Sequence, residues 1–326
     1  RARSSRDLHV GLVRRPTPPG LRAGGELMRS LVTGSDGFVA HHLIRYLRDS
    51  GDEVHGIDRE RDVTDELSMR KVFEWFHPDV TYHLAALTHV GESWDHADEF
   101  TRVNVVGTQR VLDAAYEAVP TSTTVVVSTS EVYGIVRAED QPLRETFRVA
   151  PANPYSASKV EAEHVAREAV RLRNQRVLIA RPFNHLGPGQ SPTFVVPALV
   201  TRLLDAVERG DDEIVVGDLS TRRDFSDVRD VVRAYRLLAT LGVSGEAYNV
   251  ASGHDVALSD IAAQLVERLA PHVALVIDPS LLRPVEIPVF RGSFEKLHQA
   301  TGWSPEIPLH QTLDDVVNDL ITRRET

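Results

Sequence analysis

Two residues in this chain have the types and spacing to move a proton. Tyr155 and Lys159 lie four apart in Pro154-Tyr155-Ser156-Ala157-Ser158-Lys159, which reads as the opening of a helix running to about Arg171. That spacing puts both side chains on one helical face. A phenol near pKa ~10 is a poor base at neutral pH. An ammonium beside it favours the phenolate, so Lys159 is expected to lower the value for Tyr155. Upstream, Ser128-Thr129-Ser130-Glu131 ends a β-branched strand. A hydroxyl there can donate to a carbonyl oxygen as negative charge develops on it, and Glu131 can serve as a general base. Each signal is weak alone, because Ser and Thr in turns often bond local backbone.

A phosphate cradle gives these residues a setting. Ser30-Leu31-Val32-Thr33-Gly34 reads as a buried strand, and Phe38 to Arg48 as an amphipathic helix with Gly51 just past its end. The turn between them is Gly34-Ser35-Asp36-Gly37-Phe38-Val39-Ala40. Gly34 permits a tight turn, Gly37 lets backbone approach a pyrophosphate, and Ala40 lets the helix pack close to the strand. Phosphates would meet the helix N-terminus, where unpaired N–H groups and the helix dipole favour negative charge. This is the strand–turn–helix context that the motif demands. The next strand, Glu53-Val54-His55-Gly56-Ile57, ends at Asp58, the expected distance for an acid that bonds the adenosine ribose. Asp58 repels a 2′-phosphate, so NAD is expected over NADP. Arg59 and Arg61 follow directly and keep NADP admissible.

The elements that must position these groups continue the alternation. Lys71–Phe76 reads as a helix tail and Asp79–Leu84 as a strand running into Ala85-Ala86. Phe100–Ala118 reads as a helix with Asn104 and Gly107 near its start, and Thr124–Ser128 and Arg176–Ala180 as further strands. Strands separated by helices predict an α/β fold, a Rossmann-type doubly wound parallel sheet, with a smaller C-terminal α/β substrate domain. Ligands bind at the carboxyl ends of such strands, here Gly34, Asp58, Ala85 and Thr129. The dinucleotide-binding domain is expected over 28–182 with a return of 225–253, and the substrate domain over 183–326. Residues 1–27, with six arginines and the Pro18-Pro19 and Gly24-Gly25 pairs, read as a disordered tail. Met28 is a natural start in that reading. The Arg14-Arg15 pair has no apolar segment after it and is not read as an export signal.

Bulk properties narrow the class. The chain has 326 residues, no cysteine and a net charge of −10. Disulfides, thiolate metal sites and thiol nucleophiles are excluded, and no metal site is expected. The acidic balance argues against nucleic acid as a partner. No apolar run approaches the ~20 residues of a membrane span, so a cytoplasmic protein is expected.

Across Arg29 to about Arg323 the chain resembles the extended short-chain dehydrogenase/reductases. The resemblance rests on Thr33-Gly34-x-x-Gly37-Phe38, His83-Leu84-Ala85-Ala86, Asn104 with Gly107-Thr108, Thr129-Ser130-Glu131-Val132-Tyr133-Gly134 and Tyr155-x-x-x-Lys159. Further along come Arg181-Pro182-Phe183-Asn184 and Arg223-Asp224-Phe225-Ser226-Asp227-Val228. It departs at Ala40, where glycine is usual, and in the short gap between Asp58 and Asp62. The resemblance implies a catalytic set of Thr129, Glu131, Tyr155 and Lys159, with Thr129 preferred over Ser130 as the hydroxyl. It implies cofactor contacts from Gly34, Asp36, Gly37, Phe38, Val39, Asp58, Asp62, Val63, Leu84, Ala85, Ala86, Asn104, Tyr155, Lys159 and Pro182. Asp62-Val63 would hold the adenine, and Lys159 the nicotinamide ribose. A homodimer through the 100–118 and 153–171 helices is also implied.

For the substrate, Asn184-His185-Leu186-Gly187-Pro188-Gly189-Gln190, Phe194-Val195-Val196-Pro197 and Arg283-Pro284-Val285-Glu286 are together similar to GDP-6-deoxy-mannose reductases. Those enzymes reduce the 4-keto group of a GDP-linked sugar. The likeness implies that Asn184, Arg223 and Arg283 contact the diphosphate or nucleoside and Glu286 a ribose, with Thr88, Ser93 and Val195 also at the substrate. A guanidinium fork suits phosphate oxygens. Thr129-Ser130-Glu131 also resembles nucleotide-sugar 4,6-dehydratases and epimerases, with Glu131 as base, and that is the alternative. A dinucleotide-binding sensor without catalysis is a minor alternative, disfavoured because Tyr155 and Lys159 are both kept.

Overall fold

The computed structural model describes residues 27–281 and 287–325. The tail read over 1–27 lies outside them apart from Leu27. The first half alternates strand and helix: β1 (Arg29–Thr33), α1 (Phe38–Asp49), β2 (Glu53–Ile57), α2 (Glu66–Phe76), β3 (Val80–His83), α3 (Ala97–Thr101), α4 (Gly107–Ala118), β4 (Thr123–Val127), α5 (Pro154–Arg173) and β5 (Arg176–Pro182). Then come β6 (Asn184–Leu186), α6 (Val195–Arg209), β7 (Glu213–Val216), β8 (Arg222–Asp227), α7 (Val228–Leu241) and β9 (Ala247–Val250). The chain ends with β10 (Asp255–Ala257), α8 (Leu258–Leu269), β11 (Ala274–Ile277), β12 (Val289–Phe290), α9 (Glu295–Thr301) and α10 (Leu309–Glu325).

Six strands pair in parallel in the order β2-β1-β3-β4-β5-β9. The order reverses between β1 and β3, which opens a crevice at their carboxyl ends. Successive strand residues point to opposite faces. Val32, Val125 and Leu178 pack with Leu43 of α1 and Leu238 of α7. On the other face Leu31 packs with Val72 of α2 and Val111 of α4, and Val126 and Val177 pack with Ala166 of α5. Cover on both faces explains why these strands read as apolar runs rather than alternating ones.

The helix read as one run over Phe100–Ala118 is three pieces: α3, a π-helical turn over Arg102–Val106, and α4. Asn104 is buried within this wide turn. Its Oδ1 accepts from the Leu87 N–H at 2.8 Å, and its Nδ2 donates to the Leu87 carbonyl at 3.0 Å and Ser158 Oγ at 2.9 Å. Such one-turn bulges often sit where a side chain has a local task.

A smaller body stands beyond the carboxyl end of β5. There β8 pairs with β10, β12 and β6, while β7 and β11 form a separate parallel pair. Leu199 and Leu203 of α6, Ile261 and Leu265 of α8 and Val317 of α10 close a second core. Among the described residues no helix is long and apolar enough to cross a membrane.

Candidate active site

The crevice begins where β1 and β3 nearly touch. Gly34 has φ +73°, and a Cβ there would lie 2.8 Å from both the Cα and the N of Ala85. Only glycine permits that approach. The Gly37 N–H closes the turn on the Gly34 carbonyl at 3.1 Å. Gly37 then begins α1 without a side-chain cap, and the first turn holds no acidic residue. These features suit an anion at the helix N-terminus and fit the pyrophosphate of a dinucleotide. Asp58 directly follows β2, with Oδ2 accepting from the Asp36 N–H and Oδ1 from the Arg59 N–H, both at 2.9 Å. It therefore braces the glycine turn, a task that sequence reading did not assign to it. Asp62 accepts from the N–H and hydroxyl of Thr64, with Arg102 beside it, and these bonds hold its carboxyl below the usual range. Val63 is buried against Gly107, where an added Cβ would meet its Cγ2 at 2.8 Å. Leu84, Ala85 and Ala86 follow β3 at the same end, half-buried.

The acid–base groups come from α5 and the end of β4. Asn153 caps α5, accepting the Ser156 N–H at 2.7 Å, and Pro154 occupies the first turn. Tyr155 and Lys159 are both buried, with the Thr129 side chain beside the Tyr155 phenol. Burial pushes the phenol up to about 12, the adjacent Thr129 side chain opposing and the Glu131 charge adding to the rise. The expectation of a phenol lowered by Lys159 is corrected: removal from water dominates, so Tyr155 is a held proton donor. The same burial brings Lys159 down to about 8, opposed by the negative charge of Glu163. Thr129 Oγ1 accepts from the Glu131 N–H at 3.2 Å, and the exposed Glu131 carboxylate accepts from Asn153 Nδ2 at 3.1 Å.

Behind Lys159 lies a buried ion pair that sequence reading missed. Arg181 donates through Nε and Nη2 to the two oxygens of Glu163 at 2.8 and 2.7 Å, and Ser128 Oγ adds a bond at 2.7 Å. Burial alone would raise the Glu163 carboxyl, but these donors hold it below its usual value. Arg181 also donates to the Tyr133 hydroxyl at 3.1 Å. Continuing the four-residue step from Tyr155 through Lys159 reaches Glu163, a signal available in the sequence.

The proposed substrate residues are more scattered. Pro182 ends β5, and Asn184 stands exposed on β6 two residues later. Between helix and strand, His185 donates through Nδ1 to the Phe183 carbonyl at 2.9 Å and stacks on Phe38 at 6.4 Å. Val195 is exposed at the start of α6. Arg223 Nη1 donates to the Ile287 carbonyl at 2.8 Å. Thr88 is exposed, whereas Ser93 is buried with its hydroxyl donating to the Val90 carbonyl at 2.7 Å. Asn104 is likewise turned inward, onto Leu87 and Ser158 rather than the crevice. Arg283 and Glu286 lie outside the described residues.

A family model described as "NAD dependent epimerase/dehydratase family" matches residues 30–251. The chain belongs to this family. The epimerase/dehydratase relatives it resembles include a GDP-6-deoxy-D-mannose reductase of Pseudomonas aeruginosa, 34% identical over 299 residues, covering 90% of this chain and 98% of that protein. A dTDP-glucose 4,6-dehydratase of Neisseria meningitidis is 30% identical over 279 residues, covering 75% and 78%. Among solved structures, that of RMD from Pseudomonas aeruginosa complexed with NADPH matches with a TM-score of 0.83 at 33% identity, covering 91% of this chain and 98% of that one. Membership makes this chain an enzyme of an NAD-dependent epimerase/dehydratase type, with the Rossmann-like sheet seen here.

Proposed function

We propose that this enzyme reduces the 4-keto group of a GDP-4-keto-6-deoxyhexose, acting in the cytoplasm. The observation that carries the reading is the Tyr155 phenol, buried beside the Thr129 hydroxyl at the end of β4. Reduction of a ketone needs a proton donor at the oxygen, and two hydroxyls meet here. When bound along the crevice, the reduced dinucleotide supplies the hydride. Thr129 then steadies the developing negative charge and Tyr155 delivers its proton to the same oxygen, leaving an alcohol. Lys159, its ammonium supported by Glu163, stands ready to favour the phenolate left behind.

The turn from Gly34 to Val39 would hold the pyrophosphate, Asp58 the adenosine ribose and Asp62-Val63 the adenine side. Asp58 favours NADH, while Arg59 and Arg61, both exposed, offer partners for a 2′-phosphate. The solved relative carries NADPH, which supports the second arrangement. Asn184 and Arg223, with Arg283 and Glu286, would meet the GDP moiety. Exposed Tyr116 on α4 and Leu172 on α5 support a homodimer through these helices.

Glu131 favours a second reading. It is exposed, oriented by Asn153 and close enough to Tyr155 to affect its charge, as the base of a 4,6-dehydratase would need to be. The deciding experiment offers purified protein GDP-4-keto-6-deoxy-mannose with NADPH or NADH, and separately GDP-mannose in deuterium oxide. Oxidation of the cofactor with a product two hydrogens heavier supports the reductase. Deuterium at carbon 5 of a 4-keto-6-deoxy product, stalled by Glu131→Gln, transfers the assignment to the dehydratase.

A further inference from the structure

His83 closes β3 inside the motif His83-Leu84-Ala85-Ala86, yet no step above uses it. It is buried at 3% exposure, and every polar partner it has is buried too. Thr33 Oγ1 lies 2.8 Å from its Nδ1, and Thr108 Oγ1 lies 3.0 Å from its Nε2. The ends of this chain determine the direction of each proton. The Ala85 N–H can only donate, and it reaches Thr33 Oγ1 at 3.2 Å. The Asn104 carbonyl can only accept, and it takes the Thr108 hydroxyl proton at 2.7 Å. Thr108 is then an acceptor towards His83, so Nε2 carries the imidazole proton. Thr33 gives its own hydroxyl proton to Nδ1. Every donor has an acceptor and none is left over.

The chain does not stop at Asn104. The side chain of that residue grips Leu87 by both N–H and carbonyl and donates to Ser158 Oγ at 2.9 Å. Ser158 donates in turn to the carbonyl of Tyr155 at 2.7 Å. Two buried runs of bonds, one ending on the backbone carbonyl of Asn104 and one starting from its side-chain amide, thus join the residue before the phosphate turn to the backbone of the proton donor. Together they cross β1, β3, α4, the π turn and α5. Aligned hydrogen bonds in a low-dielectric interior polarise and stiffen one another.

We infer that His83 is a positioning residue for the reaction: a neutral Nε2–H imidazole that, through Thr108 and Asn104, sets the catalytic helix relative to the cofactor turn. The inference rests on the oxidoreductase reading for its effect on turnover, but not for the state of the imidazole. Its geometry separates the two sides of the ring. Glutamine places an amide nitrogen near the position of Nε2 and can restore the bond to Thr108. Asparagine reaches only to the position of Nδ1 and can restore only the bond to Thr33. Phenylalanine fills the space and restores neither.

The test combines kinetics with nitrogen NMR on histidine-labelled protein, the resonance being assigned by its loss in His83→Gln. Turnover is measured with whichever nucleotide sugar the wild type converts. His83→Phe is expected to lower kcat about tenfold or more, with KM for sugar and cofactor changed less than about threefold, the pattern of lost transition-state geometry rather than lost binding. His83→Gln should recover most of kcat and His83→Asn should not. The NMR arm should find one neutral Nε2–H tautomer between about pH 5 and pH 8. Equal kcat in Phe and wild type, equal losses in Gln and Asn, or an Nδ1–H tautomer each overturn the inference. Failure of the keto-sugar assay alone sinks the proposed substrate and leaves the NMR arm standing.

Discussion

Acidification should destabilise this protein through His83 by an amount that can be worked from its surroundings. Burial, followed by the positive charge of Lys159, brings the folded-state pKa of His83 down to about 3. In the unfolded chain an imidazole titrates near ~6.5. Because the folded value is the lower one, the unfolded chain binds the extra proton first, and stability is lost as pH falls below ~6.5. The loss grows until about pH 3 and then levels off. At about pH 5 the gap from the unfolded value is roughly 1.5 pKa units, which at ~1.4 kcal/mol each is about 2 kcal/mol. The assay is urea denaturation of wild type and His83→Gln at about pH 7 and about pH 5. His42, His55 and His185 are also lowered by burial and contribute their own slopes. Subtracting the variant from the wild type removes them. The wild type should lose about 2 kcal/mol more than the variant over this interval. Equal losses within about 0.5 kcal/mol would show that the imidazole is not held neutral by its surroundings, and the reasoning would fail.

Three further outcomes are expected. Tyr155→Phe should cut turnover by ~10²–10⁴-fold while cofactor affinity, measured by fluorescence titration, stays nearly intact; near-wild-type rates would remove Tyr155 from the proton step. Asp58→Ala should weaken NADH more than NADPH, and because Asp58 also holds the Asp36 N–H, NADPH should not bind better than in wild type; equal weakening of both would leave the acid only its bracing role. Glu163→Gln leaves Arg181 buried without its counter-charge and should cost about 3–5 kcal/mol in denaturant melts. In the same variant Lys159 loses the charge that supports its ammonium, so the alkaline limb of turnover should move to lower pH. An unmoved limb would separate Glu163 from Lys159.

What could be read without a structure was what lies within one element or one turn. The Tyr155–Lys159 step is set by helical geometry, and the Gly34–Ala40 turn by steric demands on a few residues. The parallel sheet showed in β-branched runs divided by helices, with ends displaced by one or two residues. The π turn at Arg102–Val106 was not legible, because its inward Asn104 makes sense only beside Leu87 and Ser158. Asp58 looked like a ribose acid because it ends a strand, while its hold on Asp36 needs β1 and β2 side by side. Arg181 and Glu163 are 18 residues apart and meet only because β5 lies under α5. Tyr155 marks the limit most clearly. Its neighbours in sequence suggested an acidified phenol, yet removal from water, which depends on everything packed around it, holds the proton in place. Residue types and spacing therefore determined which groups can act, whereas burial and long-range pairing decided their charge and orientation, since desolvation belongs to the folded whole.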